Sequence, residues 1–319
     1  MEKRIYKVEK DDDQKRLDVY IVEKIPIEIS RNLVQNAITK GQITVNGTQK
    51  KPHYKVKQGD EIQIDFHELV EETKEEEILP ENIPLNILYE DAELIVINKP
   101  AGLIVHPTPN IKSGTLVNAL MYHVRDLDRT MQDSNRLGIV HRLDKETSGV
   151  MVVAKTSFSY HLLSKEFKER MTTKYYLAVI EGTLKEKEGE INLPLGRHPV
   201  LRHKRAVVYD GREAVTEYKA LKEFENHATL VWIRLKTGRT HQIRVHFKYL
   251  GNPIIGDSLY GKNKIDKNLQ ISVNRQMLHA LKLGFYHPKT KEWMEFLAPL
   301  PEDFKNLLIT LTNLDGQNS

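Results

Sequence analysis

The 319-residue chain has no cysteine. Disulfides, thiolate catalysis and cysteine-held zinc are thereby excluded. No run approaches the roughly 18 apolar residues that a membrane helix needs. The first residues, Met1-Glu2-Lys3-Arg4-Ile5-Tyr6, lack the apolar core of a signal peptide. A cytoplasmic location with no membrane partner is the expectation. Neither a G-x-x-x-x-G-K-S/T loop nor a Gly-rich dinucleotide fingerprint is present, so no nucleotide cofactor is expected. The 13 histidines include no compact H-x-x-x-H pair with a carboxylate partner, and His241 and His246 stand five apart. No metal is expected either.

Net charge is also small, formally +4, but its distribution is uneven. Residues 232–248 carry Arg234, Lys236, Arg239, Arg244 and Lys248 with no acid. Residues 195–209 carry Arg197, Arg202, Lys204 and Arg205, again with no acid. Two such stretches suit a phosphate-contacting surface. The plainer alternative is a pair of solvated faces with acids supplied from elsewhere in the fold.

The length suits two domains. Residues 1–70 read as a small α/β module. Ser30 suits the N-cap of a helix over residues 31–40, with Val34, Ala37 and Ile38 on one face and Gly41 just past its end. A strand from Ile43 enters an Asn46-Gly47 hairpin turn. Gly59-Asp60 turns the chain into a closing strand. This ordered set, with Arg16-Leu17-Asp18 ahead of it, resembles the S4 RNA-binding domain. The resemblance implies RNA contacts from Arg31, Lys40, Lys50 and Lys51. An acidic run over residues 71–77, followed by Pro80 and Pro84, marks residues 71–84 as a linker.

Residues 85–305 alternate short β-branched runs with a few helices, which argues for an α+β domain around a mixed, mostly antiparallel sheet. Helices are expected over residues 113–123 and 157–171. Tyr160, Leu163, Phe167 and Met171 give the second one a core-facing stripe. Thr240 is expected to cap a helix that runs to Leu250 and stops at Gly251. Residues 306–319 are left as a tail, polar and frayed from residue 312 on.

One string is denser in chemistry than the rest: Gly138-Ile139-Val140-His141-Arg142-Leu143-Asp144-Lys145-Glu146-Thr147-Ser148-Gly149. It presents Asp144 on a loop between two apolar runs, where a rigid scaffold can aim it. An Asp that merely caps a turn is the bland reading. The string resembles the signature of the RluA/RluD family of RNA pseudouridine synthases. Further blocks resemble the same family: residues 98–107, Lys174-Tyr175-Tyr176, residues 235–246, residues 276–280 and residues 285–288.

That resemblance implies the pseudouridine synthase catalytic fold and isomerisation of uridine to pseudouridine without a cofactor. It makes Asp144 the nucleophile, by attack on C1′ or by assisting a glycal route. Arg244 becomes the cation that holds it. Tyr176 becomes the ring against the target base, since only one of Tyr175 and Tyr176 can face the site. Arg142 is assigned to the gap left by an extruded base, and His141 and Arg239 to substrate contacts. Structured RNA is the expected partner, ribosomal RNA of the large subunit first and transfer RNA second, with the protein a monomer. Two other readings stand beside this one: a non-catalytic S4-type RNA binder, and a glycoside hydrolase using Asp144 with Glu146.

Overall fold

The computed structural model describes residues 3–25, 31–65, 78–108, 111–124, 137–225, 227–261 and 273–317. The chain forms two compact units, Met1–Glu77 and Ile78–Ser319. The division falls within the stretch read as a linker. Ser30 and residues 71–77 lie outside the described residues.

The first unit runs β1 (Lys3–Lys7), a 3-10 turn (Lys10–Asp12), α1 (Leu17–Lys24), α2 (Arg31–Lys40), β2 (Ile43–Val45) and β3 (Glu61–Asp65). Its strands make an antiparallel sheet in the order β1-β3-β2. Val34, Ala37 and Ile38 on α2 are fully buried against the core. Gly41 follows the helix at a φ of +81°. Asn46 and Gly47 have φ values of +51° and +70°, as a two-residue primed turn requires. Val45 and Thr48 exchange both backbone hydrogen bonds across it.

The second unit runs β4 (Ile87–Glu90), β5 (Leu94–Lys99), α3 (Leu116–His123), β6 (Ser148–Ala154), α4 (Ser157–Glu169), β7 (Thr173–Glu181), β8 (Glu188–Asn192), β9 (Leu195–Arg197), β10 (Arg205–Val207), β11 (Val215–Phe224), β12 (Ala228–Leu235), α5 (Gln242–Tyr249), β13 (Leu278–Tyr286), β14 (Trp293–Leu297) and α6 (Glu302–Gln317). Among the described residues, a nine-stranded sheet has the order β4-β5-β6-β13-β7-β12-β11-β8, with β14 also on β13. β6 and β13 pair in parallel and the other neighbours antiparallel. The mixed, mostly antiparallel sheet is as expected.

Every residue of β6 is buried, as its unbroken apolar run requires for a strand covered on both faces. Gly149 is needed there. At its φ of +121°, a Cβ would collide with the carbonyl oxygen of Ala280 on β13. Thr115 and Asn118 form a capping box on α3. Thr156 caps α4 by accepting from the Ser159 amide.

Three expectations need correction. α4 ends at Glu169, because Arg170 turns left-handed at a φ of +62°. Met171 therefore leaves the stripe and is exposed, while Leu163 stays in the core. Thr240 does not cap α5. His241 occupies the cap position in a left-handed conformation without a side-chain cap. The Gln242 Oε1 accepts instead from the Thr237 hydroxyl and the Arg239 amide. The tail is not frayed from residue 312. α6 reaches Gln317 and buries Phe304, Leu307 and Leu311 in the main core. No helix among the described residues is long and apolar enough to cross a membrane.

Candidate active site

β6 begins four residues after Asp144, and the connecting loop is held on several sides. The Lys145 carbonyl accepts from the Gly102 amide at 2.9 Å and from Lys99 Nζ at 3.0 Å. Lys99 is fully buried and also donates to the carbonyls of Pro100 and Leu103, each at 2.8 Å. Burial pushes its ammonium down to about 7, against the pull of Glu146 and Asp144. From β13's approach, Arg275 Nη1 donates to the Glu146 carbonyl at 3.1 Å. Its other edge holds Asp303 of α6.

The loop edges a cleft of about 690 Å³. Asp144 and Arg244 meet there, with Arg244 Nη1 donating to Asp144 Oδ2 at 2.8 Å. Arg244 sits on α5 and is itself clamped. Its Nε and Nη2 donate to the two oxygens of Asp257 at 2.7 and 2.9 Å. Asp257 is buried and also accepts from the amides of Leu259 and Tyr260. A guanidinium fixed bidentately on one carboxylate can present its remaining edge to a second with little freedom. His241 Nε2 lies 3.9 Å from Asp144 Oδ1, and its Nδ1 lies 2.8 Å from the Tyr260 hydroxyl. Burial lowers the His241 pKa more than Asp144 restores it.

Strand alternation separates the two tyrosines as expected. Tyr176 is buried and lines the cleft, while Tyr175 stacks on Trp232 at 4.9 Å. Burial, then the Asp144 charge, pushes the Tyr176 hydroxyl far above its usual value. The phenol stays protonated at neutral pH, so it can donate a proton or a hydrogen bond but cannot serve as a phenolate base.

Arg142 is exposed on the cleft rim. Arg239 also lines the cleft, with Nε donating to the Glu213 carbonyl at 3.0 Å. His141 is a scaffold residue as much as a cleft residue. Its Nε2 accepts the Val152 amide at 3.0 Å, and its ring stacks on Phe167 at 4.5 Å. Burial, with Lys174 nearby, pushes the His141 pKa down to about 3, so the ring is neutral. Lys248, also on α5, is exposed and does not line the cleft. Glu146 is not among the lining residues and pairs with Lys145 at 3.7 Å, so no carboxylate couple flanks the cleft among the described residues.

In the first unit, Arg31 is half exposed and tied to the fold at one end. It donates to Asp18, a buried carboxylate that also takes Arg16 and Gln35. A buried carboxylate must be paired. Burial opposes the Asp18 charge, but these donors hold its pKa well below the usual range. Lys40 and Lys51 are exposed, and Lys50 Nζ lies 5.5 Å from the Tyr54 ring centre.

Asp257, Tyr260, Lys99 and Lys174 have no role in the sequence reading. The first two stand in Gly256-Asp257-Ser258-Leu259-Tyr260-Gly261, where two flanking glycines signal a turn.

Around Asp144 the cleft walls carry seven Lys and Arg side chains and no second acid among the described residues. A cleft so basic around one clamped carboxylate suits a polyanionic substrate such as nucleic acid. A family model for RNA pseudouridylate synthase matches residues 93–249, and an S4 domain model matches residues 15–62. An uncharacterized RNA pseudouridine synthase of Aquifex aeolicus (strain VF5) is 43% identical over 300 residues, covering 92% of this chain and 93% of its own. The ribosomal large subunit pseudouridine synthase D of Blochmanniella floridana is 40% identical over 307 residues, covering 93% and 94%. The solved structure of human RNA pseudouridylate synthase domain containing 4 has a TM-score of 0.56 at 29% identity, over 71% of this chain and 93% of that one. The chain belongs to the RNA pseudouridine synthase family, and it carries an S4 domain ahead of the catalytic one. It is an isomerase whose partner is RNA.

Proposed function

We propose that the chain isomerises uridine in large-subunit ribosomal RNA, as a cytoplasmic monomer that needs neither metal nor nucleotide cofactor. The observation that carries this is the Asp144–Arg244 contact of 2.8 Å, in a cleft where Asp144 is the single acid among the described lining residues. Asp144 acts as the nucleophile, kept ionised and aimed by Arg244. The N1–C1′ bond breaks, the uracil turns, and C5 bonds to C1′. The proton leaving C5 is balanced by one gained at N1, so nothing is added or lost overall. Tyr176 packs its ring against the extruded base and donates through its hydroxyl. Arg142 on the rim fills the space the base vacates, and Arg239 contacts the strand. Lys40, Lys50 and Lys51 of the first unit supply sequence-independent phosphate contacts.

The relatives named for the large ribosomal subunit favour that RNA over transfer RNA. The test is to map pseudouridines in total RNA from cells with the protein, without it, and with Asp144→Asn. Sites that vanish with the protein, return with wild type and stay absent with Asp144→Asn are expected, within large-subunit ribosomal RNA. A lost site in transfer RNA would move the assignment there. Rescue by Asp144→Asn would remove Asp144 from the chemistry.

A further inference from the structure

Lys174 is a cleft residue that the reaction as described leaves unused. It is 9% exposed and lines the wall beside Tyr176. Its ammonium makes no hydrogen bond or ion pair among the described residues. The nearest aromatic face, Phe167, has its ring centre 5.9 Å away, at the outer limit of a cation–π contact. Its basic neighbours are provided for differently. Arg170 is held by Glu213, and Arg239 donates to the Glu213 carbonyl. The one acid among the described residues of the cleft wall, Asp144, is taken by Arg244. A buried cation without a counter-charge is costly and is seldom kept without one.

We propose that Lys174 binds a backbone phosphate flanking the target uridine. The proposal rests on the uridine-isomerising reading above. Lys174 and Tyr176 are i and i+2 on β7, so both project to one face, about 7 Å apart. A nucleotide whose base meets Tyr176 and whose C1′ meets Asp144 has its phosphate within reach of that position. A phosphodiester offers two non-bridging oxygens and one negative charge to an ammonium with three donors. Burial, then Arg170 and Arg239, hold the Lys174 pKa down to about 8, which leaves the side chain mostly charged at neutral pH and gives it most to gain from an anion. Such a contact reads no base. It fixes register, so Lys174 is a binding residue that delivers the uridine to Asp144.

The experiment uses full-length wild type, Lys174→Met and Lys174→Arg, with an RNA fragment spanning a uridine whose modification in cells depends on the protein. Affinity is titrated across salt concentrations. It is then titrated again with a neutral methylphosphonate at the linkage 5′ or 3′ of the target, the adjoining 2′-hydroxyl being methylated in all RNAs. Wild type should lose about tenfold on neutralising one of the two linkages, and Lys174→Met should be indifferent to it. Lys174→Met should also flatten the salt slope by about 1, with Lys174→Arg restoring it. Lys174→Met should fold at least as stably as wild type, since it removes an unpaired buried charge. An unchanged slope, or equal losses in wild type and Lys174→Met at both linkages, would overturn the proposal. Wild type that binds RNA with these signatures but never isomerises it would overturn the function instead, and leave the phosphate contact standing.

Discussion

Arg244 donates to Asp144 at 2.8 Å while its other edge is locked onto Asp257. One planar group thus spans two carboxylates, a buried one that fixes it and a cleft one that it aims. Lysine has the charge but not the fork. Arg244→Lys should therefore slow the chemical step by about a hundredfold, the scale of a nucleophile displaced by about 1 Å. RNA affinity should barely move, because one contact among many phosphate contacts is a small share. Single-turnover isomerisation beside a binding titration at fixed salt checks this. Weakened binding with an intact chemical step would make Arg244 a backbone contact.

Asp257→Asn tests the other half of that clamp. Asp257 is fully buried and neutralises Arg244. Losing its charge leaves a buried guanidinium short of one partner, which costs about 3–5 kcal/mol in comparable pairs. The variant should unfold at clearly lower denaturant and turn over slowly even where it is fully folded. Urea titration of the second unit, with activity measured well below the midpoint, separates the two effects. Unaltered stability would mean that Asp144 alone satisfies Arg244.

His141 makes stability depend on acid. Its ring must stay neutral to accept the Val152 amide, and burial holds it near 3 against an ordinary 6.5. The unfolded chain then takes up the proton first. Stability is full above about 6.5 and falls as pH drops toward 3. Wild type should lose about 1–2 kcal/mol more between pH 7 and pH 5 than His141→Gln, which keeps an acceptor but cannot titrate. Denaturation midpoints at the two pH values settle it, and parallel losses would show the ring protonates freely in the fold.

Removal of residues 1–77 should leave a folded catalytic unit with weaker RNA affinity and poorer site choice. The two cores share no residue, one drawn from Val8 to Ile64 and the other from Leu94 to Leu311. An insoluble product, or undiminished modification of intact substrate, would count against independent units.

That Asp144, Tyr176 and Arg244 share one cleft was legible because each sits in a dense local string and strand alternation chooses between adjacent tyrosines. Asp257 was not, because its partner is 13 positions away and only the folded turn brings them together. Thr240 misled because cap propensity is a side-chain average, and here the backbone at His241 turns left-handed instead. The polar look of residues 312–319 hid a helix that continues to Gln317 and whose Phe304, Leu307 and Leu311 are buried in the core. The pairing of Arg31 with a buried Asp18 leaves no trace in linear charge.

Ser148 and His279, whose side chains meet at 2.9 Å, stand 131 positions apart in the chain. The strand that continues the Asp144 loop thus finds its parallel partner only after a very long excursion, a slow step on entropic grounds. Local pieces such as the capped helices and the Asn46-Gly47 hairpin form quickly by comparison. The β6–β13 pairing is thus a highly non-local contact of the site, and it depends on Gly149, whose missing side chain lets the two backbones touch.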